Sequence, residues 1–113
     1  MIDFDRLFDL LAEADHGATC SCRVTTLAYL RLATAEWFRL VDEGRDGEER
    51  DRLRAAAVYI DTLVNRMSSF SKKAHTAQAF WVGFEAGWRH RTMPERTSPS
   101  YRRGYRFARP DDD

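Results

Sequence analysis

The amino-acid sequence predicts an all-α protein: a four-helix bundle or orthogonal helical array with a short fifth C-terminal helix. Apolar residues recur at steps of three and four, glycines and serine/proline clusters divide the chain into helix-length segments, and no stretch shows strand alternation. The 113 residues, 43% apolar and 32% charged, match one globular domain. We expect a helical bundle domain over residues 1–91. Over residues 92–113 we expect a linker, a short basic helix and an acidic end, packed on the bundle or extending from it.

Glycines mark the ends of the first two predicted helices. The first runs over about residues 3–14, with apolar side chains on one face and acids on the other, and Gly17 is expected to stop it. The second runs over about residues 22–43 and ends at Gly44. Because its apolar residues lie nearly all round the helix, we expect this helix to be central in the bundle.

The third predicted helix, over about residues 48–67, has the most regular apolar stripe. Five residues recur at alternating steps of three and four: Leu53, Ala56, Ile60, Leu63 and Met67. Asp46 and Glu49 resemble a capping box at its start. We expect a core that contains large apolar residues of this helix and the next: Leu53, Ile60, Val64, Trp81 and Phe84.

The fourth predicted helix, over about residues 72–90, carries Gly83 and Gly87 about one turn apart. Glycine inside a helix is costly unless another backbone approaches closely, so we expect a second helix to cross there. The serines of residues 68–71 are candidate N-caps for this helix. A last helix, over about residues 100–109, is expected to have Ser98 or Ser100 as its cap.

Charge is unevenly distributed along the chain, although the net charge is zero. Residues 1–47 contain nine acids and five bases, whereas residues 89–110 contain seven arginines and one glutamate. Such a split is typical of a basic end that binds an anionic partner, or of an acidic body that holds its own basic tail. In the second arrangement the tail would pair with Asp5, Asp9 or Glu13.

The sequence contains no recognisable targeting or membrane segment. The first ten residues include three aspartates and lack the basic and apolar regions of a signal peptide. No apolar run approaches the roughly 18 residues that span a bilayer. Cys20 and Cys22 are too close for an unstrained disulfide, which fits a reducing compartment. We therefore expect a soluble cytoplasmic protein without a membrane partner.

One cluster of metal-capable side chains stands out, formed by His16, Cys20 and Cys22. It would bind zinc if a fourth ligand came from one of three other residues: His75, His90 or Asp15. We favour the alternative, a loop whose cysteines pack as small apolar residues, because structural zinc sites usually pair two separated ligand pairs. A thiolate activated by the start of the second helix is a further alternative. We expect neither a metal nor a cofactor.

The sequence shows none of the common catalytic motifs. Glu36 and Asp61 lie on the helices that we expect to be most buried, and two carboxyl groups across a bundle can perform acid–base chemistry. More often such residues face solvent or pair with an arginine such as Arg39 or Arg66. We therefore expect no enzyme. An uncharacterised enzyme and a zinc-binding helical protein stay as further alternatives.

Arginines and aromatic residues alternate in the last predicted helix, offering phosphate contacts and stacking faces in one short element. Arg89 and Arg91, at the end of the fourth helix, extend this surface. The predicted nucleic-acid- or partner-binding residues are Arg89, Arg91, Tyr101, Arg102, Arg103, Tyr105, Arg106 and Arg109. In the alternative arrangement Tyr101, Tyr105 and Ala108 dock on the bundle and the arginines are only solvated.

The segment Gly83-Phe84-Glu85-Ala86-Gly87, followed after a linker by Tyr101-Arg102-Arg103-Gly104-Tyr105-Arg106-Phe107-Ala108, resembles the ribosome modulation factor family. That family has a Gly-aromatic-x-Ala-Gly helix, a proline-containing turn, and then aromatic-x-x-Gly-aromatic-x-x-Ala. The resemblance covers about a quarter of the chain, and about eighty residues precede it. Met93-Pro94 stands where the family has a Cys-Pro pair. The resemblance implies RNA or ribosome contact by the basic C-terminal part.

We expect a non-catalytic binding or regulatory protein that acts on a larger protein or nucleoprotein complex. Its Arg/Tyr-rich C-terminal element would contact RNA or the ribosome. The alternative is a small inhibitor or adaptor of the kind that phages and mobile elements encode, which binds a host protein complex through another face. Both functions are compatible with a homodimer. Salt dependence separates the two functions, because phosphate contacts weaken steeply as salt rises.

Overall fold

Five α-helices make up the computed structural model, which describes residues 3–44 and 47–110. They are α1 (Asp5–Thr19), α2 (Arg23–Glu43), α3 (Glu48–Asn65), α4 (Phe70–Trp88) and α5 (Pro99–Ala108). The described part of the chain contains no strand. The predicted all-α class, with a short C-terminal helix added to four longer ones, is therefore confirmed. No helix in these ranges combines the length and apolar character needed to span a membrane.

The main core cluster contains apolar side chains from all five helices, and a second, small cluster consists of Ala14, Leu30 and Ala74. The five residues predicted to lie in it are all buried: Leu53, Ile60, Val64, Trp81 and Phe84. Trp81 has aromatic neighbours on several sides, with Trp37 at a ring-centroid distance of 6.0 Å and Phe80 and Phe84 both at 5.3 Å. Such ring pairs add stabilisation beyond the burial of their area. The regular stripe of α3 thus faces the core, as its spacing predicts.

The central helix is α4, which contacts each of the other four helices, whereas α2 contacts α1, α3 and α4. The prediction that the second helix is central was therefore wrong. Three of its apolar side chains are exposed: Val24, Leu32 and Phe38. The apolar residues all round this helix predicted burial on all sides, but no other helix of the described ranges covers the outer face of α2.

The expectation that Gly17 stops the first helix was also wrong, because α1 continues to Thr19. Gly17 is buried inside the helix, and a Cβ built on it would stand 2.9 Å from Oγ1 of Thr26 in α2. The glycine therefore permits a close approach of two helices. The helix ends instead at a Schellman motif, in which Ser21 adopts a left-handed conformation with φ of 59°.

The remaining helix ends follow local sequence signals. Gly44 follows the last residue of α2, as predicted. Gly47 occupies the N-cap position of α3, with φ of 89°. The predicted capping box depends on Asp46, which lies outside the described residues. The Oγ atoms of Ser69 and Ser98 accept hydrogen bonds at the starts of α4 and α5, which confirms Ser98 as the cap of the last helix.

The helix predicted to cross α4 at its glycines is α5. A Cβ built on Gly83 would overlap the carbonyl oxygen of Tyr101, and one built on Gly87 would stand 2.7 Å from the carbonyl oxygen of Tyr105. Gly104 of α5 fits against the main chain of Phe80 in the same way. The two helices therefore pack backbone against backbone. The basic C-terminal segment is an integral layer of the fold, since Ala108 belongs to the core cluster.

Candidate binding surface on the C-terminal helix

The fold separates the aromatic residues of α5 from its arginines. Phe107 packs against Tyr59 and Phe80, with ring centroids 5.1 and 5.8 Å away. Tyr105 is 3% exposed, and its hydroxyl donates a hydrogen bond of 2.6 Å to the carbonyl oxygen of Arg91. The predicted contact residue Tyr105 is therefore an anchor of α5, and burial leaves it no ring face for a partner. Tyr101 is half-buried, with its main chain against Gly83.

Arg102 and Arg106 occupy the outward side of α5 and Arg109 directly follows the helix, and we call these three residues the arginine stripe. Arg102 and Arg106 lie four positions apart, so that helix geometry places them along one face, with about 6 Å of axial rise between them. Arg102 and Arg106 are exposed and Arg109 is half-buried. The Nε atom of Arg102 donates a hydrogen bond of 2.9 Å to Oγ1 of Thr97, which directs this side chain along the preceding loop.

Arg103 borders the stripe on the side that faces α3. Its guanidinium carbon lies 5.6 Å from the ring centroid of Tyr59, in a cation–π contact. On the same side, Nη1 of Arg52 donates a hydrogen bond of 3.2 Å to the carbonyl oxygen of Ala108. Arg52 thus satisfies a main-chain acceptor at the end of α5. The sequence offered no sign of this role, because the two residues are 56 positions apart.

Arg89 and Arg91 lie where α4 ends and share one acidic neighbour. The Nε atom of Arg89 is 3.4 Å from Oε2 of Glu85, and Nη1 of Arg91 is 3.7 Å from Oε1 of the same residue. Both arginine side chains are largely open to solvent, at 41% and 62% exposure. One carboxylate therefore offsets part of the charge of two guanidinium groups, and a net positive charge is left at this end of the helix.

The two flanks of α5 differ in charge. On the α3 side lies a groove of about 510 Å³, with carboxylates and guanidinium groups around an apolar floor. Its lining consists of Glu48, Asp51, Arg52, Ala55, Arg103, Arg106, Phe107 and Pro110. On the opposite side lies a cleft of about 370 Å³, and the described residues that form it are His90, Arg91, Thr92, Met93, Tyr105 and Arg109, none of them acidic. The positive surface therefore extends from the stripe towards the α4–α5 loop.

The acidic side chains of α1 do not hold the basic helix. Among the described helices, α5 contacts α3 and α4, and α1 contacts α2 and α4. The arrangement in which the tail pairs with Asp5, Asp9 or Glu13 is therefore not the one observed among the described residues, because α1 and α5 each contact α4 but not each other.

The cysteines and histidine near the end of α1 are open to solvent. Cys20 Sγ lies 3.7 Å from Nε2 of His16, and both cysteines are exposed free thiols. Cys22 is the N-cap residue of α2, and the hydrogen bond between its Sγ and the Thr25 hydroxyl lowers the pKa of its thiol. The described residues contain no group of three side chains that would hold a metal ion. The cysteines do not pack in the core, in contrast to the favoured expectation, because the Schellman turn presents them outward.

Glu36 is a buried carboxylate held between two arginines. Arg39 Nε donates a hydrogen bond of 2.9 Å to its Oε1, and Nε of Arg6 in α1 lies 3.3 Å from Oε2. The hydrogen bond from Arg39, together with the charges of both arginines, holds the pKa of Glu36 below its usual range. An ionised carboxylate in such a pair joins α1 to α2. This corresponds to the arginine-paired alternative predicted for this residue.

A second groove, between α2 and α3, is bordered by apolar side chains that the described part of the chain leaves exposed. It measures about 410 Å³, and Phe38, Val41 and Val58 line it together with charged residues. Phe38 is 39% exposed and Val58 50% exposed. Sequence reasoning placed Phe38 inside the bundle and so missed this surface.

No family model, curated protein or solved structure gives a significant match to this chain.

Proposed function

We propose that this protein is a non-catalytic binding protein that contacts RNA, free or within a nucleoprotein assembly, through the arginine stripe of α5. One observation carries the proposal. The arginines of α5 point outward from a helix whose opposite face is fixed to the protein body by backbone contacts at Gly83, Gly87 and Gly104. The positive charge is thus presented on a fixed framework.

Charge repulsion supports an anionic partner. The ten residues of α5 include Arg102, Arg103 and Arg106 and no acid. Like charges held this close on one helix turn destabilise it slightly, by a few tenths of a kcal/mol per pair. An anion that binds between them removes this cost. Among the described residues, those that line the flank towards His90 and Arg91 include no acid either, which supports a favourable potential beyond the helix.

Rigidity supports recognition of a regular anionic surface. A flexible tail would lose conformational entropy on binding, whereas the docked helix has already lost it during folding. Guanidinium groups bind phosphate oxygens through two parallel hydrogen bonds, which suits a repeating phosphate backbone. The resemblance of residues 83–108 to the ribosome modulation factor family implies the same class of partner for this element. Among RNA-containing partners we propose the ribosome first, because the family resemblance implies contact with it.

Charge reversal tests the proposal. We expect the triple variant Arg102→Glu, Arg103→Glu and Arg106→Glu to lose retention on RNA or ribosomes while keeping a melting temperature close to that of the wild type. Exposed charged residues contribute little to stability, and the contact between Arg103 and Tyr59 adds about 0.5–1 kcal/mol at an exposed site. The matched control reverses three exposed arginines outside α5: Arg31, Arg54 and Arg66.

Retention is measured by co-sedimentation with ribosomes from native lysate, with and without nuclease, and by fluorescence anisotropy with labelled RNA. The control variant should bind as the wild type does. If the α5 triple variant keeps full retention, the stripe is not the contact surface. If the control variant loses binding equally, the attraction comes from net charge and not from this helix.

A second candidate function is binding of a host protein through the groove between α2 and α3, as an inhibitor or adaptor of the phage or mobile-element type would do. The exposed Phe38 and Val58, which line one groove, support it. Salt dependence separates the two functions. Each phosphate contact adds about −0.9 to the slope of log affinity against log salt concentration, so RNA binding should weaken steeply as salt rises. Binding that is insensitive to salt and is abolished by Phe38→Glu with Val58→Glu would favour the protein partner.

A further inference from the structure

Apolar residues occupy the outward side of α2, where no other helix of the described ranges covers them. Three are large, with exposures of 81%, 48% and 39%: Val24, Leu32 and Phe38. Two exposed alanines lie among them, and consecutive members of the set are three or four positions apart. At roughly 100° per residue they span about a third of the helix circumference. We call this surface the apolar face of α2, and it consists of Val24, Ala28, Leu32, Ala35 and Phe38.

Two opposite charges lie on the same side of the helix. Arg31 and Asp42 are both exposed, and the distance between them in the sequence is close to three whole turns. Among the described residues neither of them forms an ion pair. A helix surface that carries the two signs in one order favours a partner that carries them in the reverse order.

A second copy of α2 in antiparallel orientation provides that order. When Arg31 of one protomer lies opposite Asp42 of the partner subunit, two-fold symmetry places the same pair at the other end of the contact. Ala35 and Phe38 are centred on the same midpoint of α2 as Arg31 and Asp42. In this register the ring of Phe38 therefore lies opposite the small side chain of Ala35. One register thus matches opposite charges and also matches a large side chain with a small one.

We propose that the protein forms a two-fold symmetric homodimer in which the apolar faces of two α2 helices pack in antiparallel orientation. The interface does not involve α5, which among the described helices contacts α3 and α4 but not α2. The dimer carries two arginine stripes, each complete within one protomer. The inference goes beyond the proposed RNA contact and does not rest on it. Because the face includes Phe38, a second copy and the host protein of the second candidate function exclude each other.

Sedimentation velocity over a range of protein concentrations tests for the dimer. We expect the wild-type mass to rise from one chain to two as the concentration increases. Phe38→Glu should raise the dissociation constant at least about tenfold, because aromatic side chains near the centre of an interface carry much of its binding energy and a buried carboxylate is costly. The matched control is Val82→Glu. Val82 is 40% exposed on α4 and lies outside the apolar face of α2, so this change should leave the constant unchanged.

Charge reversal tests the orientation and the register. Arg31→Glu and Asp42→Lys should each raise the dissociation constant at least about tenfold, because each variant alone places like charges opposite each other at both ends of the interface. A one-to-one mixture of the two variants should dimerise about as tightly as the wild type, because both ends of the mixed dimer again pair opposite charges. Both residues are exposed, so the melting temperature of each variant should stay close to that of the wild type.

The outcomes decide between this interface and its alternatives. A wild type that sediments as one chain at every concentration overturns the homodimer. A dimer that folded Phe38→Glu leaves intact overturns the assignment to the apolar face of α2. A mixture of the two charge variants that stays monomeric overturns the antiparallel register. If the wild type is monomeric and Phe38→Glu abolishes its binding to a host protein, the face belongs to the second candidate function instead.

Discussion

Gly104 of α5 lies against Phe80 of α4 so closely that a Cβ built on the glycine would overlap the carbonyl oxygen of Phe80 and stand 2.9 Å from the amide nitrogen of Phe84. The contact is reciprocal, since Gly83 of α4 meets the carbonyl group of Tyr101 in α5. Each helix thus contributes a glycine against which the main chain of the other helix packs. The outward direction of the arginines depends on this arrangement, because it decides which face of α5 is buried.

Replacing Gly104 with alanine should destabilise the protein by at least about 2 kcal/mol, because the methyl group forces the helices apart. Helix propensity alone predicts the opposite effect of this substitution, a gain in stability of roughly 0.5–1 kcal/mol. Urea denaturation measures the difference. The control Arg106→Ala changes an exposed residue of the same helix and should shift the free energy of unfolding by no more than about 0.5 kcal/mol. A stabilised Gly104→Ala variant would mean that α5 does not pack on α4 as described.

Ile60→Ala should lower the free energy of unfolding by about 2–4 kcal/mol, because it leaves a cavity where Ile60 is fully buried in the core. Val58 lies two residues earlier in the same helix and is half exposed, so Val58→Ala serves as the control and should cost no more than about 0.5 kcal/mol. Chemical denaturation compares both with the wild type. Equal effects of the two substitutions would contradict the burial of the α3 stripe.

The ion pairs of Glu36 predict a specific acid dependence of stability. Arg39 and Arg6 hold the pKa of Glu36 below its ordinary value of 4.5. A group whose pKa is lower in the folded than in the unfolded protein stabilises the fold fully above the unfolded pKa. That contribution is lost as the pH falls from about 4.5 through the folded pKa. Glu36→Gln should therefore lose less stability than the wild type over this acid range.

The measurement is a series of urea midpoints at pH 7, 5, 4 and 3 for the wild type and Glu36→Gln. The difference between the two proteins should be constant between pH 7 and pH 5 and should shrink at lower pH. Introducing Arg39→Met into both proteins should reduce this pH-dependent difference, since the first cause of the lowered pKa is then gone. Parallel curves at all four pH values would show that Glu36 is not ionised in such a pair.

Cys22 should react readily with iodoacetamide at pH 7, because its thiol is exposed and its pKa is lowered. The hydroxyl of Thr25, 2.9 Å from the sulfur, is the first cause of this shift. Thr25→Val should therefore slow alkylation of Cys22. Cys20 is exposed as well and provides an internal reference in the same peptide map. An unchanged ratio of the two alkylation rates in Thr25→Val would rule out the role of the hydroxyl.

Local chemistry set much of the architecture. The stripe of α3 requires a neighbouring helix, and three of its residues, Leu53, Ala56 and Ile60, are accordingly buried. Ser98 caps α5 because its side chain accepts a hydrogen bond from the amide of Tyr101 at the start of the helix. Gly83 and Gly87 predicted a crossing helix, since two glycines inside a helix are costly without one. These are properties of a residue and its near neighbours, so the sequence is enough to predict them.

Contacts between different helices decided the rest. Gly17 reads as a stop signal until Thr26 is known to pack on it, and an apolar α2 suggests a central helix until Phe38 and Val24 are seen to lack a neighbour. The same holds for the site. The sequence placed arginines and tyrosines together in α5, but only packing against α4 and α3 buried Tyr105 and left Arg102 and Arg106 outside.

The sequence by itself determined the helical class, the stripe of α3 and the concentration of arginine near the C-terminus, because composition and periodicity are local. Only the tertiary structure decided that α4 is central, that α5 packs backbone against backbone on it, and that His90 and Arg91 share a cleft with Arg109. The physical reason is that the contacts between a helix and its neighbours decide which of its side chains are buried and which are exposed. Those contacts join residues tens of positions apart, for which the linear pattern carries no signal.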